Sequence, residues 1–335
     1  MVDLHFGVTL QGVDPPSTFA GMVAEIEDLS FDHLWITDSS LHARNCYVEL
    51  AVAAGRSSRL TLGTAVTNPL TRHPAITAAA AATLDELSGG RMVLGVGAGD
   101  RPLLALGMRP SQLEDLEAMI GALRRLWAGE HVTVRASGFA LEDAFLRFPA
   151  RPDIPIFLAA SGPRTLELAG RVADGVIGLV GLFPEAVTWA LEHVRRGAAA
   201  AGRPVPHFGV FAYGAIDDDR DAALDRARSI AAWFPQTQPG ICELAGVSAS
   251  VIEEVRVSYG GGEFQEASRA ASLLPDAFVR KVALAGNEDD ATAQILGVLE
   301  AGADSVHVFP LGETRMGTVR AFARCVRRVR TGGGQ

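Results

Sequence analysis

Only three cysteines occur in the 335 residues, Cys46, Cys242 and Cys325, far apart and in no CxxC spacing. That excludes a disulfide framework and a thiolate zinc site, and it points to a reducing compartment. Positive charge is scarce too: 30 Lys and Arg stand against 39 Asp and Glu, for a formal charge of −9, with no basic cluster. Nucleic acid and anionic membrane surfaces are therefore excluded as expected partners. No apolar run reaches the roughly 18 residues that a membrane span needs. The start, MVDLHFGVTL, carries an acid in place of a basic leader region and enters apolar alternation at once, so it reads as a first strand and not a signal peptide. The eight histidines form no HExxH or HxH pair, and no protein-bound metal is expected. A cytoplasmic protein acting on a small molecule is the class left standing.

What is present is a large apolar fraction, 48%, enough for one sizeable core. Eight short apolar runs recur along the chain: Leu4 to Leu10, His33 to Thr37, Leu60 to Val66, Arg91 to Val96, Ile154 to Ala160, Gly175 to Val180, His207 to Ala215 and Ser305 to Phe309. Helical patterns separate them. Pro74 suits the first turn before AITAAAAATLDEL, Gly89 and Gly90 close that helix, and Pro184 opens another. Eight such units predict parallel strands with right-handed crossovers, closing as an α/β (β/α)8 TIM barrel, a single domain over 1–335, with an open doubly wound sheet as the alternative. Two stretches exceed a minimal barrel. VTVRASGFALEDAFLRF, 132–148, predicts a hairpin inserted after the fourth strand's helix, and 218–281 predicts short helices inserted after strand seven.

The stretch GRMVLGVGAGDRP, 90–102, places Gly95, Gly97 and Gly99 on alternate positions and then Asp100. A dinucleotide loop is disfavoured, because the spacing is not GxGxxG and the run follows the fourth strand. Two readings remain. Bare backbone at a barrel strand's C-terminal end would let a flat ring lie against peptide groups, or the glycines merely relieve crowding. AASGPRTLELAG offers a second place of interest: Ser161 or Gly162 starts a helix with Pro163 in its first turn and Arg164 adjacent, which suits a phosphate, or an ordinary capped helix. Asp38 and Asp100 end strands two and four, where an acid can cap a helix, hold a ring or handle a proton.

GTAVTNP at 63–69, followed by PAITA, TLDELSGGR and LGVGAGD, with WITD at 35–38 and LAASGP at 158–163, resembles the bacterial luciferase-like superfamily. Within it the chain is most similar to the branch that uses the deazaflavin coenzyme F420, especially the methylenetetrahydromethanopterin reductases. The resemblance spans nearly the whole chain, is strongest from His33 to Gly107, and is thin over 218–281. It implies a hydride-transferring oxidoreductase, a homodimer or dimer of dimers, with the deazaflavin ring on a strand-three bulge holding a cis peptide at Ala65-Val66. Gly97, Ala98 and Gly99 would approach the ring's pyrimidine edge, with Asn68 adding a side-chain contact. The coenzyme's phosphate would lie near Ala160, Ser161, Gly162, Pro163 and Arg164. Asp38 and Asp100 would flank the coenzyme, Asp100 being the first candidate for proton handling. Thr9 and Ser39 would line the substrate pocket, and both depart from the family: Ser39 replaces a His of many relatives, and Thr9 a Glu of the methanogen reductases. The resemblance thus implies the coenzyme more firmly than the methanopterin substrate. An FMN-dependent monooxygenase of the same superfamily and a non-catalytic cofactor-binding barrel are the alternatives.

Overall fold

The computed structural model describes residues 4–99, 101–260, 267–312 and 315–332. Asp100 lies outside the described residues. Strands β1 (His5–Leu10), β2 (His33–Ile36), β3 (Thr61–Thr64), β4 (Met92–Val96), β7 (Ile156–Ala160), β8 (Gly175–Gly178), β9 (His207–Ile216) and β11 (Ser305–Pro310) pair in parallel. Pairing of β8 with β9 and of β11 with β1 closes them into a barrel. These are the eight runs read from the sequence, six of them shortened at their ends and β9 and β11 each one residue longer. Between β4 and β7 comes the antiparallel hairpin β5 (Val132–Arg135) and β6 (Ala140–Ala144). Its turn is tied down by the buried Asp115 carboxylate, which accepts from the Ser137 and Gly138 amides at 2.7 and 3.3 Å.

The described residues of the long insertion are mainly helical, but it ends in a ninth strand that the sequence did not disclose, β10 (Ala283–Gly286). It pairs with Tyr213–Ile216 of β9, beyond the point where β8 stops at Val210. The long strand β9 therefore carries one neighbour on its first half and another on its second. This roots the inserted helices, 220–282, against the mouth of the barrel.

Local chemistry sets the connecting helices. Pro74–Ser88 begins with proline at its first position, is capped by His73 Nδ1 accepting from the Ala75 amide, and stops at Gly89 in the left-handed region, φ 69°. Pro163–Val172 and Pro184–Ala200 also start with proline, but no side chain caps them. No described helix is long and apolar enough to cross a membrane.

The barrel floor is filled by rings that fit over glycines on adjacent strands. A Cβ on Gly63 would lie 2.4 Å from the Trp35 ring, one on Gly175 2.4 Å from the Phe157 ring, and one on Gly7 2.4 Å from His307 Nδ1. Histidines scattered in sequence also meet here: His5, His33, His207 and His307 contact one another at centroid distances of 5.3–6.0 Å. They do not form a metal-ligand set. Trp35 Nε1 donates to His307 Nδ1 at 3.1 Å, so neutral His307 carries its proton on Nε2, 2.8 Å from Ser305 Oγ. Ser305 Oγ lies 2.8 Å from His207 Nε2 in turn.

Burial and the neighbouring imidazoles push His33 down to about 3 and His307 well below its ordinary 6.5, and burial lowers His207. The folded barrel therefore binds fewer protons than the unfolded chain below pH 6.5. Stability should fall as pH drops through that value, by up to about 1.4 kcal/mol per pH unit for each such histidine. Denaturant titrations from pH 7 to 4 should show this slope, and His33→Gln should flatten it by about one histidine's share; a slope unchanged in the variant would mean that His33 takes up its proton in the fold.

Candidate functional site

β3 and β4 pair regularly only at Leu62↔Met92 and Gly63↔Val93, and pairing resumes at Thr67↔Val96. Four steps along β3 thus oppose three along β4. The surplus residue forms a bulge at Ala65 and Val66, whose peptide bond is cis, as the family resemblance implied. The bulge depends on the bareness of β4. A Cβ on Gly95 would lie 1.9 Å from the Thr64 carbonyl oxygen, and one on Gly97 would lie 2.6 Å from Val66 Cγ2. Thr64 Oγ1 donates to the Gly95 carbonyl at 2.7 Å, and the Gly97 amide donates to the Thr67 carbonyl at 2.8 Å. Gly95 therefore relieves crowding between strands, Gly97 admits the Val66 side chain, and Gly99 supplies a left-handed turn, φ 82°. The glycines make room for the bulge first.

The bulge forms one wall of a cavity of about 480 Å³ at the C-terminal mouth of the barrel, inside the range of roughly 300–1,000 Å³ usual for small-molecule sites. From the predicted site, Asp38, Ser39, Ala65, Val66 and Asn68 border it, as do Gly97, Ala98, Gly99, Ala160 and Ser161. Thr9 does not. Its side chain is fully buried on the inward face of β1, one layer below the mouth, and Gln11, two residues on, reaches the cavity instead. Gly162, Pro163 and Arg164 also fall outside the lining, although they continue directly from Ser161. There Gly162 is the N-cap of Pro163–Val172, and no side chain caps this helix. Its first amides therefore keep an open, positive end.

Several polar groups are already engaged within the protein. Asn68 Oδ1 accepts from the Leu70 and Thr71 amides at 3.0 and 2.9 Å, and its Nδ2 donates to Thr71 Oγ1. The Ala98 carbonyl accepts from the Ser111 amide. Asp38 caps no helix. Arg72 grips it in a fork, Nε to Oδ2 at 2.5 Å and Nη2 to Oδ1 at 2.9 Å, while stacking 4.7 Å over the Tyr47 ring. Burial, with Asp38's charge next in weight, pushes the adjacent Cys46 thiol well up, so it stays protonated and unreactive.

Sequence patterning missed Arg72 and the opposite wall. That wall contains Phe211, Tyr213, Phe309 and, from the long insertion, Trp233, Thr237 and Gln238; His42 comes from the loop after β2. Strand parity was the available signal for part of it, since Phe211 and Phe309 sit two residues beyond the inward-facing Gly209 and His307.

The family model for the luciferase-like monooxygenases matches residues 4–305. The chain belongs to this family. It is 31% identical over 327 residues to a 5,10-methylenetetrahydromethanopterin reductase of Methanolobus tindarius, covering 96% of this chain and 99% of that one. An F420-dependent glucose-6-phosphate dehydrogenase of Nakamurella multipartita is 33% identical over 244 residues, 68% of this chain and 72% of the relative. Among solved structures, the coenzyme F420-dependent tetrahydromethanopterin reductase from Methanopyrus kandleri superposes with a TM-score of 0.83 at 26% identity, covering 96% of this chain and 98% of that chain.

The Asp38–Arg72 pair is almost wholly withdrawn from water, with side-chain exposures of 3% and 19%. Arg72→Met would leave an uncompensated buried carboxylate and should cost about 3–5 kcal/mol of stability. Asp38→Asn added to it should recover most of that loss. Denaturant unfolding of the double-mutant cycle checks this, and additive losses would show that the fork carries no coupling.

Proposed function

We propose that this chain is a coenzyme F420-dependent oxidoreductase, moving a hydride between C5 of the deazaflavin and an electrophilic carbon or carbinol of a small molecule. The observation that carries the reading is the β3 bulge on bare β4, which borders a cavity leading to a helix N-terminus with no side-chain cap. A solved relative that covers 96% of this chain and another relative that covers 68% of it are named for F420 chemistry. When bound, the deazaflavin supplies the hydride acceptor or donor.

The chain's residues supply position and polarity. Ala65 and Val66 back the ring, and the missing side chains of Gly97 and Gly99 leave the platform flat. Ala98 and Asn68 border its polar edge, with Asn68 Oδ1 already committed to its own turn. Ala160 and Ser161 lead to Gly162 and Pro163, where the helix end and the exposed Arg164 side chain suit a phosphate. Asp38, its charge answered by Arg72, is a fixed acceptor. Proton handling at the reacting carbon is assigned to Asp100, and Ser39 to the substrate side. We assign the protein to the cytoplasm as a homodimer or dimer of dimers, as the family resemblance implies; sedimentation of a monomer would remove that assembly.

Titration with F420 and with FMN tests the reading. F420 should bind at least about tenfold tighter, a difference near 1.4 kcal/mol, whereas equal binding, or oxygen-dependent turnover with reduced FMN, would favour the monooxygenase alternative. Asp100→Asn should keep the F420 affinity and slow single-turnover hydride transfer by roughly 100-fold or more. An unchanged rate would remove Asp100 from the chemistry.

A further inference from the structure

The two walls of the cavity differ in chemistry. On the side of β3, β4 and β7 it is bare backbone and small side chains, including Val66, Gly97 and Ala159. In the strand order of the barrel, β9 and β11 stand across from β3 and β4. They present Phe211, Tyr213 and Phe309, with Tyr213 5.3 Å from each of the other two rings at steep angles. Beside these rings the insertion places Gln238.

Gln238 is 5% exposed, and its side-chain oxygen has no hydrogen-bond partner among the described residues. Its backbone is fully engaged: the amide donates to Phe234 O at 2.7 Å, and the carbonyl accepts from the amides of Ile241 and Cys242 at 3.1 and 3.3 Å. The residue is thus held in place by its main chain and borders the cavity, with its carboxamide oxygen enclosed there and without a donor among the described residues. Leaving such an oxygen buried without a donor is unfavourable, and a ligand that brings an O–H or N–H relieves it. Among the described residues, a second buried polar atom of the lining without a partner, Thr37 Oγ1, stands at the end of β2 beside Asp38. Among the described lining residues, none on the Gln238 side is charged. Among the described residues around the cavity, Asp38 is the one carboxylate, and Arg72 answers it.

We propose that Gln238 is a substrate-recognition residue: its carboxamide oxygen accepts a hydrogen bond from an O–H or N–H of an uncharged substrate whose apolar body packs on Phe211, Tyr213 and Phe309. This rests on the F420 reading for the identity of the group on the opposite wall. It sets the specificity of the site toward neutral donors and against carboxylates.

Ligand-observed NMR titrations of the whole protein, with and without F420, test it with three probes that share one ring: benzyl alcohol, benzyl methyl ether and benzoate. Wild type should bind the alcohol about fivefold tighter than the ether or benzoate, the factor expected of one neutral hydrogen bond. Gln238→Met should bind alcohol and ether alike, keep the wild-type F420 affinity, and melt at the same temperature or higher, because a buried unpaired amide has been removed. Equal binding of alcohol and ether by wild type, or a preference that survives in Gln238→Met, would overturn the proposal. So would a lowered melting temperature in that variant, which would make Gln238 a structural residue. Failure of wild type to bind F420 would remove the coenzyme reading alone, since the alcohol preference measured without F420 still decides the role of Gln238.

Discussion

One close approach organises the working end of this protein: β3 carries one residue more than β4 between two fixed pairings, and β4 accommodates the surplus by having no side chains there. Gly95 lets the Thr64 carbonyl reach the neighbouring backbone, and Gly97 lets Val66 lie across it. Thr64 Oγ1 and Thr67 N then bond the Gly95 carbonyl, replacing ladder bonds that the bulge interrupts. A side chain at either glycine would force the strands apart, and the platform at the barrel mouth would go with them.

The floor answers the opposite need. Trp35, Phe157 and His307 each occupy the space above a glycine of an adjoining strand, so the interior is filled and the barrel opens only toward its C-terminal face. Stability and function thereby sit at different ends of the same strands. The four clustered imidazoles belong to the stabilising end, where burial keeps three of them neutral. The functional end combines a small-residue wall from β3, β4 and β7 with an aromatic wall from β9 and β11, and the inserted helices complete it with Trp233, Thr237 and Gln238.

The eight strands were legible because each is a buried parallel strand, read as a nearly continuous apolar run between glycine, proline or polar punctuation. Proline-started helices were legible for the same local reason. The bulge was legible only through the resemblance of GTAVTNP to a family pattern, since nothing in the apolar run Leu60 to Val66 marks an extra residue. Groups that act through distant partners escaped: Arg72 lies 34 positions from Asp38, and the histidines of the floor come from four different strands. β10 escaped because ALAG is only four residues, none of them β-branched or aromatic, at the end of a helical insertion. Thr9 was assigned to the pocket through the resemblance, which gives a strand position but not how deep its side chain sits in the barrel.

We propose that the β3 bulge, bare β4 and the Ser161–Arg164 turn together hold one coenzyme. Hydrogen–deuterium exchange of the protein with and without F420 addresses it directly. The account predicts slowed exchange confined mainly to peptides covering 61–70, 92–99 and 158–167. Unchanged exchange in all three, with or without protection elsewhere, would contradict it.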